Sequence, residues 1–342
     1  MTEKKQDTLL QLIKKLVETP GPSGQEQKIR AAVREEIKGY ADEIRTDALG
    51  NLIARVGSKK EGGMRVMVSA HIDEIGLMVT HVDDNGFARF LAVGGVSPFT
   101  CMGNRVIFMN GARGVIGMER LEPGKVPTLD QMYIDTGATS AKDSPVQVGD
   151  VCGFERPFMD LGKRLVAKSM DDRIAAVIAI EAMKQIKKTS PNEIYFVFSV
   201  QEEVGLRGAT TAAYGVNPEV GIAVDVTGVG DTPKGFKLNV KLGNGPAVKV
   251  RDNSFIADPR VVKWMVNEAE AQGLPYQMEV LTFGGTDGRA IQMTREGVPA
   301  GCLSIGSRYI HSPSEMVDRD DVENSIKLLA GLLNNKIELG EL

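Results

Sequence analysis

The sequence predicts an α/β protein whose main domain is interrupted by a small β-rich module. Helix-like and strand-like segments alternate over residues 1–74 and again over residues 166–342, which is typical of a sheet covered by helices. From Ile75 to about Leu165 the sequence pattern is different. Short strand-like pieces are separated there by Gly, Pro, Asn and Asp clusters, and no long helix is evident. We therefore expect a discontinuous α/β domain (1–74 and 166–342) with a β insert (75–165).

The first segments are two helices followed by two strands. Thr8–Glu18 carries Leu, Ile and Val at helical spacing, and a Pro-Gly-Pro turn ends this helix. Ser23 with Glu26 three residues later matches a capping box and predicts a second helix to about Tyr40. Apolar runs then predict strands at Asn51–Val56 and Met64–Ala70. The second run does not alternate, as expected for a strand buried on both faces.

The remaining segments follow the same patterns. In the insert, the expected strands are Gly76–Val82, Ala88–Val93, Arg105–Met109 and Gly114–Met118. After it, the expected elements are the helix Asp171–Lys187, the strand Glu193–Val200, the helix Ala209–Tyr214, the strand Gly221–Val226, a helix from Asp258-Pro259 to Glu270, the strands Tyr276–Leu281 and Val298–Ile305, and the helix Val322–Leu333. Asp258 is an expected N-cap because Pro259 follows at the first helical position.

Composition excludes several classes of function. The chain has 342 residues, of which 42% are hydrophobic and 25% charged, as in a globular protein, and no apolar run is long enough to span a membrane. A net charge of −4 and a single Trp argue against a nucleic-acid partner. The three cysteines are far apart, so neither a disulfide framework nor a thiolate metal site is indicated. The charged N-terminus lacks the apolar core of a secretory signal, and we expect a cytoplasmic protein.

His71 and Asp73 stand at the end of the buried strand Met64–Ala70. Side chains at positions i and i+2 of a strand share a face, so the imidazole can bind a metal while the carboxylate orients its second nitrogen. A strand end whose polar residues simply meet solvent is an equally good interpretation of this motif alone.

Two pairs of carboxylates follow. Asp171 and Asp172 open a helix, where acidic residues commonly act only as caps. Glu202 and Glu203 come directly after a strongly apolar strand, where one carboxylate can bind a cation while the other moves protons at the substrate. The alternative is a solvated turn.

Asp225 and His311 complete the pattern. Asp225 ends the apolar strand Gly221–Val226, and His311 lies just past the strand Val298–Ile305. Each is ordinary alone, but carboxylates and imidazoles recur at strand ends and helix starts along the chain. Two of only three histidines belong to this set. The third, His81, precedes a polar hairpin and is left out.

With these residues in place, the sequence resembles the tetrahedral (TET) family of metallo-aminopeptidases, which includes glutamyl, leucyl and deblocking aminopeptidases and some members labelled endoglucanase. The resemblance runs over nearly the whole chain, in order through Thr19-Pro20-Gly21-Pro22-Ser23-Gly24, Thr46-Asp47-Ala48-Leu49-Gly50-Asn51, His71-Ile72-Asp73-Glu74-Ile75-Gly76, Ile134-Asp135-Thr136-Gly137-Ala138, Asp171-Asp172-Arg173, Gln201-Glu202-Glu203-Val204-Gly205, Gly284-Gly285-Thr286-Asp287 and Arg308-Tyr309-Ile310-His311-Ser312-Pro313.

The resemblance implies a site with two divalent metal ions. It implies Asp171 as the bridging carboxylate, with Asp172 the alternative, His71 and Asp225 on one ion, and Glu203 and His311 on the other. It also implies Glu202 as general base and Asp73 as the residue that orients His71. Nitrogen and oxygen ligands without thiolate suit zinc, cobalt or manganese. Two such ions can activate a water molecule and polarise the scissile carbonyl.

The resemblance further implies a three-layer, zinc-peptidase-like α/β fold, peptide substrates, and a dimerisation role for the insert 75–165. Family members commonly assemble from dimers into hollow dodecamers. Candidates for substrate binding are Arg251, for which a surface role is equally reasonable, and Gly285 and Thr286.

Two other functions are considered. An endoglucanase would use Glu202 and Glu203 as its carboxylate pair, but neighbouring residues of an extended chain point to opposite sides and cannot flank one glycosidic bond. A non-enzymatic oligomeric scaffold would need a broken metal site, whereas every residue that the family pattern requires is present.

Overall fold

The computed structural model describes residues 3–341, with side chains from residue 7, and confirms the α/β fold with a small β domain. The helices are α1 (Glu3–Glu18), α2 (Gln27–Ile37), α3 (Met170–Met183), α4 (Arg207–Val216), α5 (Pro259–Ala271), α6 (Asp287–Gln292) and α7 (Arg319–Asn334). The strands are β1 (Glu43–Thr46), β2 (Leu52–Val56), β3 (Arg65–His71), β4 (Gly76–Val82), β5 (Ala88–Val93), β6 (Arg105–Phe108), β7 (Arg113–Met118), β8 (Met132–Asp135), β9 (Val151–Phe154), β10 (Met159–Asp160), β11 (Arg164–Ala167), β12 (Glu193–Ser199), β13 (Val220–Gly228), β14 (Ala247–Arg251), β15 (Gln277–Val280), β16 (Ala300–Arg308) and β17 (Glu315–Asp318).

The main domain is one large mixed sheet with helices on both faces. Its strand order is β1-β2-β12-β3-β13-β16-β17-β11-β10, with β14 and β15 attached beside β16. The centre, β12-β3-β13-β16, is parallel. Val66 and Val68 of β3 pack into the core beneath α1, α3 and α7, whereas Met67 packs into the core beneath α4 and α6. This burial on both faces explains why the apolar run in β3 does not alternate.

The insert forms a closed barrel with the strand order β4-β5-β8-β7-β6-β9 and its own apolar core. The barrel strands end at Phe154, whereas the sequence placed the end of the insert at 165. The local sequence does not show this boundary, because it depends on the pairing of β10 and β11 outside the barrel. Strand β11 pairs with β17 in the large sheet, and β10 pairs with β11.

The predicted capping box at Ser23 and Glu26 is wrong. Helix α2 begins at Gln27, with Glu26 as an N-cap that makes no side-chain capping bond. Ser23 Oγ instead donates to Asp73 Oδ2 at 2.6 Å, and Glu26 Oε1 accepts from the backbone amide of Gly24 at 2.6 Å. Both polar side chains thus bind partners other than the helix terminus, which the local pattern does not reveal.

The cap predicted at Asp258 is confirmed. Its side chain accepts a hydrogen bond from the Arg260 amide at 2.9 Å, and Pro259 is the first residue of α5. None of the described helices combines the length and the apolar character needed to cross a bilayer.

Candidate metal centre

The candidate residues meet at the carboxyl edge of the central parallel strands. His71 ends β3, the two glutamates follow β12, Asp225 lies in β13, and His311 follows β16. Asp171 lies at the start of α3. Because parallel strands point their carboxyl ends to one edge, distant stretches of sequence contribute to a single site.

Asp171 lies between the two histidines. His71 Nε2 is 2.9 Å from Asp171 Oδ1, and His311 Nε2 is 3.3 Å from Asp171 Oδ2. His311 Nε2 is also 3.1 Å from Glu203 Oε2. A carboxylate with one oxygen toward each imidazole has the arrangement that bridging two ions requires. Of the two neighbouring aspartates, Asp171 is the one that lies between the histidines.

Potential ligand atoms form two groups, each with its atoms within 4.8 Å of one another: His71, Asp171 and Glu203 in one, and His71, Asp172 and Asp225 in the other. Asp172 is fully buried, and neither of its carboxylate oxygens has a hydrogen-bond partner among the described residues. Glu203 Oε1 also lacks a hydrogen-bond partner among the described residues. Buried carboxylate oxygens without donors are costly unless a cation binds them. The donor set of imidazoles and carboxylates therefore fits divalent metal ions.

Asp73 is completely buried and contacts several parts of the site. Its Oδ1 lies 3.5 Å from His71 Nδ1, beyond ordinary hydrogen-bond length. The same oxygen accepts from the amide of Glu202 at 3.0 Å, and Oδ2 accepts from the amide of Glu203 at 3.2 Å. Asp73 thus holds the backbone of both glutamates in addition to facing His71.

Burial and mutual charge shift the pKa values of the metal-free site. Burial lowers the pKa of His311, but the hydrogen bonds to Asp171 and Glu203 outweigh this effect and raise that pKa to about 11. Burial raises the pKa of Asp171, yet the two histidines hold it below its ordinary value. The pKa of Glu202 is raised well above its ordinary value, first by burial and, among the neighbours that add to it, by Asp225. Perturbed titrating groups clustered in a cavity are typical of a catalytic centre.

The sequence interpretation missed two supporting carboxylates. Glu315, in β17, accepts hydrogen bonds from the amides of Asp171 and His311, each at 2.8 Å. Asp287, at the start of α6, accepts from Ser69 at 2.7 Å and from Ser199 at 2.5 Å, beneath the ends of β3 and β12. The only sequence signal was for Asp287, in the quoted Gly-Gly-Thr-Asp segment, and no local pattern singled out Glu315.

A cavity of about 680 Å³ opens over the centre. Beyond the metal-ligand candidates, its wall carries apolar side chains that include Phe236, Leu281 and Phe283. Gly285 and Thr286, two of the residues predicted to bind substrate, also line it. Arg251 does not line it and is exposed at the end of β14. A cation that does lie at this wall is Lys249, whose Nζ is 2.6 Å from Glu279 Oε1.

The barrel insert reaches the site through the loop that follows β5. A Cβ atom added to Gly95 would lie 2.4 Å from Nδ1 of His311, and one added to Gly94 would lie 3.1 Å from Cβ of Glu203. Only glycine at these positions lets the loop backbone approach the two side chains so closely. The loop thus forms part of the wall beside His311 and Glu203.

Comparison with known proteins agrees with this geometry. The family profile described as M42 glutamyl aminopeptidase matches residues 50–328. A putative aminopeptidase of Acetivibrio thermocellus is 48% identical, over 95% of this chain and 98% of that protein. The structure of an aminopeptidase from the archaeon Desulfurococcus kamchatkensis superposes with a TM-score of 0.92 at 39% identity, covering 96% of this chain and 95% of that one.

A further solved structure is that of the TET1 peptidase of Pyrococcus horikoshii, which can assemble into a tetrahedron or a large octahedral shell. It superposes with a TM-score of 0.87 at 33% identity, covering 95% of this chain and 99% of that one. These similarities confirm the predicted resemblance and favour a peptidase over a glycosidase or a scaffold. The chain therefore belongs to the M42 glutamyl aminopeptidase family and is an aminopeptidase.

Proposed function

We propose that this aminopeptidase releases N-terminal residues with two divalent ions, zinc, cobalt or manganese, bound between His71 and His311. The position of Asp171, with one oxygen toward each histidine, carries this proposal. The proposed ligands are His71 and Asp225 for one ion, Glu203 and His311 for the other, and Asp171 for both. Asp172 groups with His71 and Asp225 and is a further donor on that side.

When bound, such ions polarise a scissile carbonyl and increase the acidity of water. The protein supplies the proton transfer. Glu202 Oε2 lies 3.8 Å from His71 Nε2, so its carboxylate faces the same space as the ligand candidates while remaining only partly buried. We propose that Glu202 removes a proton from the attacking water and then delivers it to the leaving amine. Burial raises the pKa of Glu202, which makes its carboxylate a stronger base than that of an ordinary glutamate.

Asp73 is proposed to set the position of the glutamates and of His71. Its oxygens bind the amides of Glu202 and Glu203, and Ser23 donates to the same carboxylate. With both amides held by one buried group, the general base and the adjacent ligand are fixed relative to each other. Pre-organisation of this kind keeps catalytic groups in the productive geometry.

The barrel is proposed to join subunits into a closed assembly such as a dodecamer, with the active sites facing an enclosed space. Support comes from large apolar side chains on the insert that are exposed in the single chain: Leu91 is 48% exposed, Phe99 73% and Met102 61%. Exposed apolar side chains of this size are common where a subunit contact covers them. A symmetric homo-oligomer would repeat one such contact.

The experiment is removal and replacement of the metal. Exhaustive chelation should abolish release of p-nitroaniline from leucyl-p-nitroanilide, and zinc, cobalt or manganese should restore it, with two ions bound per chain by elemental analysis. Full turnover by protein shown to be free of metal would refute the mechanism. A stoichiometry of one ion at full activity would refute the two-metal arrangement alone.

A further inference from the structure

A second cavity adjoins the metal centre. It has a volume of about 600 Å³, lies between α4 and α6, and shares Gly205 and Leu206 with the wall of the active-site cavity. These two residues follow closely after the Glu202-Glu203 pair in the chain. A ligand chain that passes over Leu206 would therefore run from the catalytic centre into this groove.

The groove carries two guanidinium groups. Arg289 projects from α6, and Arg295 lies in the loop that follows it. Arg295 stacks on the ring of Tyr214, with Cζ 4.1 Å from the ring centroid, and donates a hydrogen bond to the Tyr214 carbonyl. Within residues 7–341, no carboxylate lies within the 4.0 Å ion-pair distance of either guanidinium. Stacking holds one cation in place while leaving most of its donors available.

The charged side chains of the groove are guanidinium groups, whereas those around the centre beside it are mostly carboxylates. Glu202, Glu203, Asp171 and Asp225 surround the site where the scissile bond would lie. The guanidinium groups of the groove would attract a carboxylate of the substrate. Tyr214 and Met293, which are 62% and 71% exposed, add apolar surface along the groove. Such a surface suits side chains on the leaving side of a short peptide.

We propose that this groove binds the C-terminal carboxylate of short peptide substrates, with Arg289 and Arg295 as the recognising cations. The inference rests on the proposed aminopeptidase mechanism, because it assumes that the scissile bond lies at the metal centre. Arginine pairs well with carboxylates through parallel hydrogen bonds, so the groove distinguishes a free carboxylate from an amide. It would make the enzyme favour peptides of a few residues over long chains.

The test compares free-acid and amidated peptides. The metal-loaded enzyme is assayed with Leu-(Gly)n and Leu-(Gly)n-amide from two to five residues in length, and with leucyl-p-nitroanilide, which has no carboxylate. At the length that spans the groove, kcat/KM for the acid should exceed that for the amide by about tenfold, as expected from one charge-assisted hydrogen bond. Raising the salt concentration should reduce this ratio.

Arg289→Ala and Arg295→Ala should each raise KM for the acid and leave the amide and the nitroanilide unchanged, while Arg289→Lys should retain part of the preference. Arg120→Ala, an exposed arginine of the barrel, is the matched control. If the wild-type enzyme cleaves acid and amide at equal rates at every length, the inference is wrong. It is also wrong if the arginine variants slow the cleavage of all substrates alike. Failure of the proposed mechanism is seen separately, because the wild-type enzyme would then not cleave leucyl-p-nitroanilide in a metal-dependent way.

Discussion

Glu315 Oε2 accepts a hydrogen bond from the backbone amide of Asp171 at 2.8 Å, which ties the proposed bridging ligand to β17. The other oxygen of Glu315 binds the amide of His311. Two proposed ligands on separate elements are thus held by one buried carboxylate. Groups behind the ligands of a metal site commonly control its affinity in this way.

Glu315→Gln should therefore weaken metal binding by about 10-fold to 100-fold. The side-chain amide of glutamine has only one acceptor oxygen, so it cannot accept hydrogen bonds from both backbone amides that the Glu315 carboxylate binds. Competition titration with a chromophoric chelator measures the affinity. Glu296→Gln, an exposed change with the same chemistry, should leave it unaltered. If Glu315→Gln binds metal as tightly as the wild type, Glu315 does not position the ligands.

Glu202→Gln should keep both ions and lose turnover by about 10²-fold to 10⁴-fold, because only the proton transfer is removed. The matched variant is Glu203→Gln, one residue away, which should lose metal instead. Metal content and kcat are measured on the same folded samples. Loss of the ions from Glu202→Gln, or retained activity in it, would require the two roles to be reassigned.

Metal binding should release protons, and affinity should rise with pH. In the metal-free protein the pKa of His311 is about 11, so the imidazole is protonated at neutral pH and must lose that proton to bind a cation. The pKa of His71 is raised as well: burial lowers it, but Asp171 and Asp73 outweigh that effect. Calorimetric titration in buffers of different ionisation enthalpy counts the protons. An apparent affinity that stays constant from about pH 6 to about pH 9 would contradict this expectation.

Phe99→Asp should weaken subunit assembly, because it replaces an apolar side chain that is 73% exposed in the single chain by a charged one. Sedimentation velocity measures the assembly state, and rates on peptides of increasing length report the enclosure of the sites. Glu296→Gln again serves as the control. A wild-type monomer that digests a long unstructured chain as fast as a tripeptide would refute the closed assembly.

Sequence patterns predicted the helices and strands that are buried along most of their length. Helix α3 and strands β3, β12 and β13 all appeared as apolar runs with clear ends. Strand β14 was not expected, because its register is set by β15 and β16, which lie far along the chain. Pairing of this kind leaves little trace in the local sequence.

The candidate site was predictable where polar residues interrupt an apolar strand. His71, the glutamates and Asp225 all stand at such interruptions. Glu315 was not predictable, because a lone glutamate at the start of a short strand has the same local sequence as an ordinary solvent-exposed side chain. Its burial to 2% exposure and its two amide partners come only from the tertiary fold.

The loop that contains Gly94 and Gly95 brings the barrel into contact with the catalytic domain beside His311. Because Gly94 and Gly95 lie against Glu203 and His311, the barrel is in direct contact with the centre. Deletion of residues 76–154 would remove this wall and increase the exposure of the His311 side chain, which is already 37% exposed. If the barrel carries the proposed subunit contact, the same loop would connect a neighbouring subunit to the proposed catalytic residues, so that association and turnover would be coupled.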